Sequence, residues 1–348
     1  MRTDDFNFHL PQELIAQHPT AERGQSRLML IDRKNQNQKH LMMHDLPSIV
    51  EPGTLMVFNN SRVRRARILG VSKEGGAKVE FLLLKRLDEL RWQALAQKSK
   101  RRKSGSAYSF GDASCVVEQA SEDGDGTLII RFERAIDDAW LDVHGHVPLP
   151  PYIKRDGEDN ALSEQDRERY QTVYAKEHGS AAAPTAGLHF TEELLSQLEK
   201  SGVETAFITL HVGIGTFLPV RSEKVEDHRM HEESYSINDE TARRIEQAKA
   251  QGRKILAVGT TSVRALEAAW DASSGSLRKG DGNTSIFIYP GYQFKAVDIM
   301  FTNFHTPGST LIMMIAAFAG KDFILKSYEE AVKEKYRFFS YGDACLIV

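Results

Sequence analysis

The sequence predicts an α/β protein that carries a separate β-rich module. Two patterns and one size argument point there. From about residue 180, apolar runs of strand length alternate with amphipathic stretches of helix length, the pattern of a mainly parallel or mixed sheet covered by helices. Between residues 62 and 148, short β-rich runs follow one another at close spacing, as in a small barrel or sandwich. A chain of 348 residues with 41 % hydrophobic content suits two domains and a sizeable core.

The elements follow in order. Thr54–Phe58 reads as a buried strand after the Pro52-Gly53 turn and before the polar pair Asn59-Asn60. In the β-rich module, runs at 78–84, 92–96, 107–110, 115–118 and 127–132 are parted by glycine- and aspartate-bearing turns. Pro148-Leu149-Pro150-Pro151 is a stiff extended exit from the module. The polar stretch Arg155–Arg169 reads as surface loop. Thr191 caps a helix with Glu192 and Glu193 in its first turn and Gly202 near its end. Then come a strand at 205–212, a helix at 239–250, a strand at 255–258 and a helix at 262–270. Strands at 285–289 and 298–304 and helices at 309–318 and 323–336 complete the series. There is no internal repeat.

Composition excludes several classes. The net charge is −3, so RNA contact would have to rest on a local basic patch. Two cysteines far apart, Cys115 and Cys345, fit neither a disulfide framework nor a zinc site and suit a reducing, cytoplasmic compartment. The N-terminus has early acids and no apolar core, so no signal peptide is expected. The longest apolar stretch, Leu311–Gly320, is about half a membrane span. It reads as a buried helix.

Ligands of open α/β sheets bind beyond the carboxyl ends of the strands. The residues in those places are His211-Val-Gly-Ile-Gly-Thr216, Gly259-Thr-Thr261, Tyr289-Pro-Gly291 and Asn303-Phe-His305. Pro184–Phe190 precedes a helix; its Gly187 permits close backbone approach. His189 suits an acid or base near neutral pH, or a hydrogen-bonded core position. Thr260–Arg264 opens a helix after a strand. Its amides and hydroxyls suit a carboxylate with Arg264 as a fork, or ordinary capping. No GxGxxG loop, Walker A motif or serine-hydrolase elbow is present. His228 and His231 lack a third ligand at a recognisable spacing, so no metal site is expected. Arg62, Arg64, Arg65 and Arg67, and Lys98, Lys100, Arg101, Arg102 and Lys103, form two basic clusters that read as solvated charge or as a phosphate-tracking patch.

Read together, these segments resemble the S-adenosylmethionine:tRNA ribosyltransferase-isomerases of queuosine biosynthesis. The resemblance rests on LMVFNNSR (55–62), VPLPPYI (147–153), RYQTVY (169–174), AAPTAGLHFT (182–191), TLHVGIGTFLPV (209–220), HRMHE (228–232), VGTTSVRALE (258–267), IFIYPGYQF (286–294), TNFH (302–305), STLIM (309–313) and YRFFSYGDA (336–344). Small departures are Arg64-Arg65 where the family often has an apolar–proline pair, Thr306 in place of leucine, and a Cys345-Leu-Ile-Val ending.

The resemblance implies a small β-barrel at 62–148 inserted in a larger α/β domain made of 1–61 and 149–348. It also implies transfer of the ribosyl group of S-adenosylmethionine to 7-aminomethyl-7-deazaguanine in tRNA. Epoxyqueuosine forms, with release of adenine and methionine. S-adenosylmethionine is then a consumed co-substrate, with no resident cofactor, no membrane partner and a monomeric chain. His189, His211 and His305 are the expected proton-transfer groups, and Asp343 the expected partner of the sulfonium or of a protonated histidine. Thr260, Thr261 and Arg264 are expected at the methionine carboxylate, Tyr289 and Phe190 at adenine or the cation, and Asn60 and Arg62 at the tRNA. Thr185, Gly213, Gly215, Thr216, Asn303, Arg337 and Tyr341 complete the expected binding set. The rival readings are an S-adenosylmethionine-dependent RNA methyltransferase, a noncatalytic RNA-binding module and a metal hydrolase using His228 and His231.

Overall fold

The structure, a computed structural model, describes residues 1–96, 102–120, 126–155, 160–213, 220 and 222–348. The chain opens with an antiparallel hairpin, β1 (Arg27–Asp32) and β2 (Asn37–Met42). A short helix α1 (Leu46–Ile49) and the Pro52-Gly53 turn lead into β3 (Leu55–Asn59), which is buried throughout. Alternate β3 side chains serve two cores: Leu55 and Val57 pack in one, Met56 and Phe58 in the other. That is what a strand covered on both faces requires.

After β4 (Ser61–Val63) come β5 (Arg67–Ser72), β6 (Lys78–Arg86), β7 (Arg91–Ala96), β8 (Ala107–Phe110), β9 (Ala113–Ala120) and β10 (Thr127–Phe132). They pair antiparallel in the order β5-β6-β7-β10-β9-β8, and β8 returns to β5 to close a six-stranded barrel. Closure depends on Gly70 in β5: a Cβ there would lie 2.2 Å from the Ser109 carbonyl. Alternate inward residues such as Ile68, Phe81, Trp92 and Ile130 build a separate core. Helix α2 (Asp138–His144) adds Trp140 and Leu141 to it, and β11 (Gly145–His146) pairs with β5.

Residues expected as surface loop contain helix α3 (Asn160–Arg169). Its polar composition hid a buried contact: Asp166, 3 % exposed, takes both prongs of Arg155 at 2.7 and 2.8 Å and the Tyr341 hydroxyl at 2.9 Å. An ion pair in place of an apolar stripe anchors the helix. Strand β12 (Glu177–Ser180) then pairs parallel with β4.

The rest builds the large sheet. Helix α4 (Glu192–Lys200) is capped by Thr191, whose hydroxyl accepts from the Leu194 amide. There follow β13 (Glu204–Leu210), β14 (Glu233–Ile237), α5 (Asp239–Ala250), β15 (Ile255–Val258), α6 (Thr260–Ala269), the small hairpin β16 (Trp270–Asp271) and β17 (Ser276–Leu277), β18 (Gly280–Thr284), β19 (Ile299–Asn303), α7 (Thr310–Ala319), α8 (Lys321–Lys333) and β20 (Ala344–Ile347). The strand order is β18-β14-β13-β3-β15-β19-β20-β1-β2. The four central strands, β13, β3, β15 and β19, run parallel; β14, β18 and β2 pair antiparallel at the edges, and β20 lies antiparallel to β19 but parallel to β1. The sheet is mixed.

The strand expected at 285–289 lies five residues earlier, as β18. It pairs with β14, and Gly282 sits under the Tyr235 ring, where a Cβ would be 2.6 Å from it. The Thr284 hydroxyl then accepts from the Ile286 amide at 3.1 Å and Ile288 turns into the core. Among the described residues no helix is long and apolar enough to cross a membrane.

Candidate active site

The carboxyl ends of the parallel strands β15 and β19 open onto a cleft of about 710 Å³, counting its mouth. Gly259, Thr260 and Thr261 follow β15; Thr302 and Asn303 end β19, with His305 just beyond; Ala182–Ala186 forms the opposite wall. Tyr152, Tyr170, Phe339 and Ser340 complete it. Among the described residues its lining carries hydroxyls, amides and aromatic rings but no formal charge. Such a lining suits a purine, a ribose or a nucleobase.

His305 is the one expected proton-transfer histidine that lines the cleft. Its Nε2 lies 2.9 Å from the Thr302 hydroxyl, and its amide donates to the Tyr328 hydroxyl at 3.2 Å. Burial pushes its pKa down from 6.5 to about 3, so the ring is neutral at pH 7.

His189 stands behind the cleft wall, 4 % exposed. Its Nε2 is 2.9 Å from the Asn303 amide nitrogen and its Nδ1 is 2.9 Å from the Ser26 hydroxyl. The same Asn303 nitrogen donates to the Phe339 carbonyl at 3.1 Å, while its oxygen faces the Thr185 hydroxyl at 3.3 Å. A carbonyl only accepts, so the nitrogen's position is fixed and His189 Nε2 must be the acceptor. The proton is then on Nδ1. Burial first, and Arg337 and Arg23 next, lower the His189 pKa to about 3. Both ring nitrogens are engaged within the protein, so the expected direct role gives way to a buried positioning one.

Helix α6 begins without a side-chain cap, Gly259 standing at its N-cap. Gly259, Thr260 and Thr261 at this helix start line the cleft, and a helix N-terminus with hydroxyls beside it can seat a carboxylate. Asn59, at the end of β3, braces this turn: its amide donates to the Leu210 carbonyl at 2.9 Å and reaches the Thr261 hydroxyl at 3.3 Å.

Other expected residues lie elsewhere. His211 faces a different groove, with Ser234, Tyr235 and Asp281, and its ring lies against Gly179. Burial and then Arg64 lower its pKa, because the ring sits near the junction with the barrel. Asp343 is spent on two backbone amides, Arg27 at 3.0 Å and Arg337 at 2.8 Å, and tethers the C-terminal strand to β1. Phe190 is fully buried and edge-packed between Phe58 and Phe301, with no free face. Arg264 is buried in an ion pair with Glu233, whose other oxygen accepts from the Gly213 amide at 3.1 Å. It stabilises the turn after β13 and does not line the cleft. Tyr289 packs against Phe287 outside the cleft. Asn60 accepts from the Thr209 hydroxyl at 2.7 Å and lines a further groove; Arg62 is exposed on β4. Tyr341 lines a hollow adjoining the cleft, and Arg337 bonds the Tyr341 carbonyl. Gly215 and Thr216 lie outside the described residues.

The first basic cluster is largely consumed by the fold. Arg64 pairs with Asp138 at 2.6 Å, Arg67 with Glu80 at 2.9 Å, and Arg65 bonds the Asp142 carbonyl. Of the second, Arg102 lies over the Tyr108 ring, and Lys98, Lys100 and Arg101 lie outside the described residues. No group of three or more metal-binding side chains occurs among the described residues.

The family model described as queuosine biosynthesis protein matches residues 3–347. The chain belongs to the queuosine biosynthesis protein family. A relative from Treponema denticola, named S-adenosylmethionine:tRNA ribosyltransferase-isomerase, is 50 % identical over the whole of both chains. One of the same name from Clostridioides difficile is also 50 % identical over the whole of both. The crystal structure of an S-adenosylmethionine tRNA ribosyltransferase from Thermotoga maritima is 38 % identical, covers 99 % of this chain and 100 % of its own, and superposes with a TM-score of 0.56.

In this queuosine-family chain, Tyr152, Tyr170, Ser340 and Thr302 are cleft residues absent from the expected set. Tyr152 donates to or accepts from Ser340 at 2.6 Å. The signal lies in the aromatic after Pro150-Pro151 and in the Arg169-Tyr170 pair, but neither stands at the end of a parallel strand, where an α/β sheet presents its ligands. The departure at Thr306 faces the cleft, whereas Cys345 is buried within β20.

Proposed function

We propose that this chain transfers and isomerises the ribosyl group of S-adenosylmethionine onto 7-aminomethyl-7-deazaguanine in tRNA, giving epoxyqueuosine-tRNA, adenine and methionine. Full-length identity of about half to enzymes named for that activity carries the reading. The uncharged, aromatic and hydroxyl-rich cleft at the strand ends supports it. The relatives' names favour ribosyl transfer over methylation.

In this reading the sulfonium acidifies C5′ and a base removes a proton there. Adenine leaves C1′ as it is protonated, and the tRNA amine attacks C1′. The C1′–O4′ bond then opens to an imine as the amine gives up a proton. The pair left at C5′ bonds C1′ while the nitrogen takes a proton. The freed O4′ closes the epoxide on C5′ and expels methionine, whose sulfur takes the bonding pair. His305, whose ring lines the cleft, is the group we assign to accept the proton. The first turn of α6, with Thr260 and Thr261, receives the methionine carboxylate. Asn303, steadied by His189, orients the sugar, and Tyr152 and Tyr170 offer ring faces to a base. S-adenosylmethionine is spent as a substrate, and no resident cofactor enters the scheme.

The test is product analysis on tRNA bearing the aminomethyl base. Adenine and methionine should appear in equal amounts while the tRNA gains the ribose carbons. S-adenosylhomocysteine with a methylated RNA would overturn the reading.

A further inference from the structure

A second, smaller hollow of about 290 Å³ adjoins the cleft, lined by Thr20, Arg169, His189, Ser340 and Tyr341 among others. Ser340 lines both spaces, and the His189–Asn303 hydrogen bond forms part of the wall between them.

Three half-buried guanidinium groups flank this hollow. Arg169 lines it and donates to the Thr20 and Ala21 carbonyls at 3.0 and 3.2 Å. Arg23 donates to the Leu188 carbonyl at 3.1 Å and the Glu168 carbonyl at 3.4 Å. Arg337 donates to the Tyr341 carbonyl and to the His18 carbonyl at 3.4 Å. Backbone carbonyls thus fix all three in place without neutralising them. Among the described residues, each guanidinium has N–H donors beyond these two bonds.

The nearby carboxylates do not close the balance. Asp166 is committed to Arg155 and Tyr341. Asp343 accepts from two amides, and its charge is shared between Arg27 and Arg337, so it offsets Arg337 only in part. Glu168, exposed on α3, acts on Arg23 through its charge without forming an ion pair with it. Among the described residues none of the three arginines reaches a carboxylate within ion-pair distance. Their charge is felt locally: Arg169 acts against the charge of Arg23, and both Arg337 and Arg23 act against protonation of His189. Like charges held together at a half-buried place cost stability unless an anion joins them.

We propose that the hollow flanked by Arg23, Arg169 and Arg337 seats a backbone phosphate of the RNA beside the nucleotide that enters the cleft. This rests on the reading of the substrate as tRNA. The fork of arginine fits a phosphate bidentately. With a net charge of −3, the protein needs such a local site to hold RNA at all. Sharing Ser340 with the cleft puts the phosphate next to the reacting base, so the hollow sets the register of the strand.

The experiment measures tRNA affinity without co-substrate, its salt dependence, and the KM for each substrate. It uses the full chain and Arg23→Gln, Arg169→Gln and Arg169→Lys. Each glutamine variant should weaken tRNA binding by about tenfold or more, the worth of a charge-assisted contact. It should flatten the log–log salt slope by roughly 0.7 per lost phosphate contact. kcat and the KM for S-adenosylmethionine should stay unchanged, and Arg169→Lys should keep most of the slope. Thr20→Glu puts a carboxylate into the hollow while leaving the arginines and the Thr20 carbonyl in place. It should weaken tRNA binding likewise, and it decides the matter if a glutamine variant does not fold. Unchanged tRNA affinity and slope in the folded variants overturns the proposal. So does a raised KM for S-adenosylmethionine with tRNA binding intact. If wild-type protein binds tRNA yet releases no adenine, the functional reading fails, and the phosphate site is judged by the binding data alone.

Discussion

Asn303 and His189 hold each other in one orientation. The amide nitrogen of Asn303 donates to His189 Nε2 at 2.9 Å and to the Phe339 carbonyl at 3.1 Å, so one side chain fixes a histidine tautomer and a loop carbonyl together. Asn303→Ala strands two buried acceptors. The expected cost is about 1–3 kcal/mol for each left unsatisfied, read from urea unfolding. A variant as stable as wild type would show that water or a rearranged side chain replaces the amide.

The two buried histidines should separate in kinetics. His305 faces the cleft and His189 does not touch it. His305→Gln should lower kcat by about 10²–10⁴, the usual worth of a positioned proton-transfer group. His189→Gln should lower stability while costing far less in kcat. Equal losses of kcat in folded proteins would return His189 to the proton-transfer step.

The same pair predicts a pH dependence of stability. Both pKa values drop from 6.5 to about 3 on folding because burial disfavours the charged ring. Below pH 6.5 the unfolded chain takes up protons that the folded chain refuses until about pH 3. The stability they supply is therefore complete above pH 6.5 and drains as pH falls through that window. At 1.36 kcal/mol per unit, the loss by pH 5 is roughly 2 kcal/mol for each histidine. Denaturant midpoints at pH 7.5 and 5 measure it, and His189→Gln should reduce the drop. A flat profile over this range would contradict the buried, neutral assignment.

What the chain reveals by itself follows a physical divide. The strand at 255–258 and the helix behind it were legible because an apolar run, a glycine and a helical period coincide there. The cleft residues Thr260, Thr261, Asn303 and His305 were legible because a parallel sheet presents its ligands at strand ends. Asp343 and Arg264 carry charges that invite a functional reading, yet their partners, the Arg27 amide and Glu233, are far away in sequence. Phe190 has the right chemistry for stacking, but only packing shows that Phe58 and Phe301 occupy its edges. Helix α3 was missed because its anchor is an ion pair, which leaves no apolar period. Strand β20 was missed because it slots between β19 and β1 from the far end of the chain.

Close approach at Gly187 gives a test of packing. A Cβ there would lie 2.0 Å from the Tyr174 hydroxyl and 2.8 Å from Thr172 Cγ2. Gly187→Ala should destabilise by about 1–3 kcal/mol through overpacking. Tyr174→Phe removes the nearer atom, so the double variant should recover part of the loss, a coupling that a double-mutant cycle reads directly. Strict additivity would mean the backbone, and not the tyrosine, sets the limit at this position.

Arg264 and Glu233 test whether a buried charge near the strand ends serves structure or substrate. Both side chains are about 95 % buried, at 5 % and 4 % exposure, and they bond each other. Glu233 also holds the Gly213 amide, at the turn where the chain leaves β13. Glu233→Gln leaves a guanidinium buried without its counter-charge, and the expected loss is about 3–5 kcal/mol. Replacing both, Glu233→Leu with Arg264→Met, removes the stranded charge and should restore much of the stability lost in either single variant. If Arg264 instead served the co-substrate carboxylate, the stable double variant would show a KM for S-adenosylmethionine raised by about tenfold or more, the worth of a charge-assisted contact. The buried pair predicts that this KM stays close to the wild-type value once stability is matched by temperature.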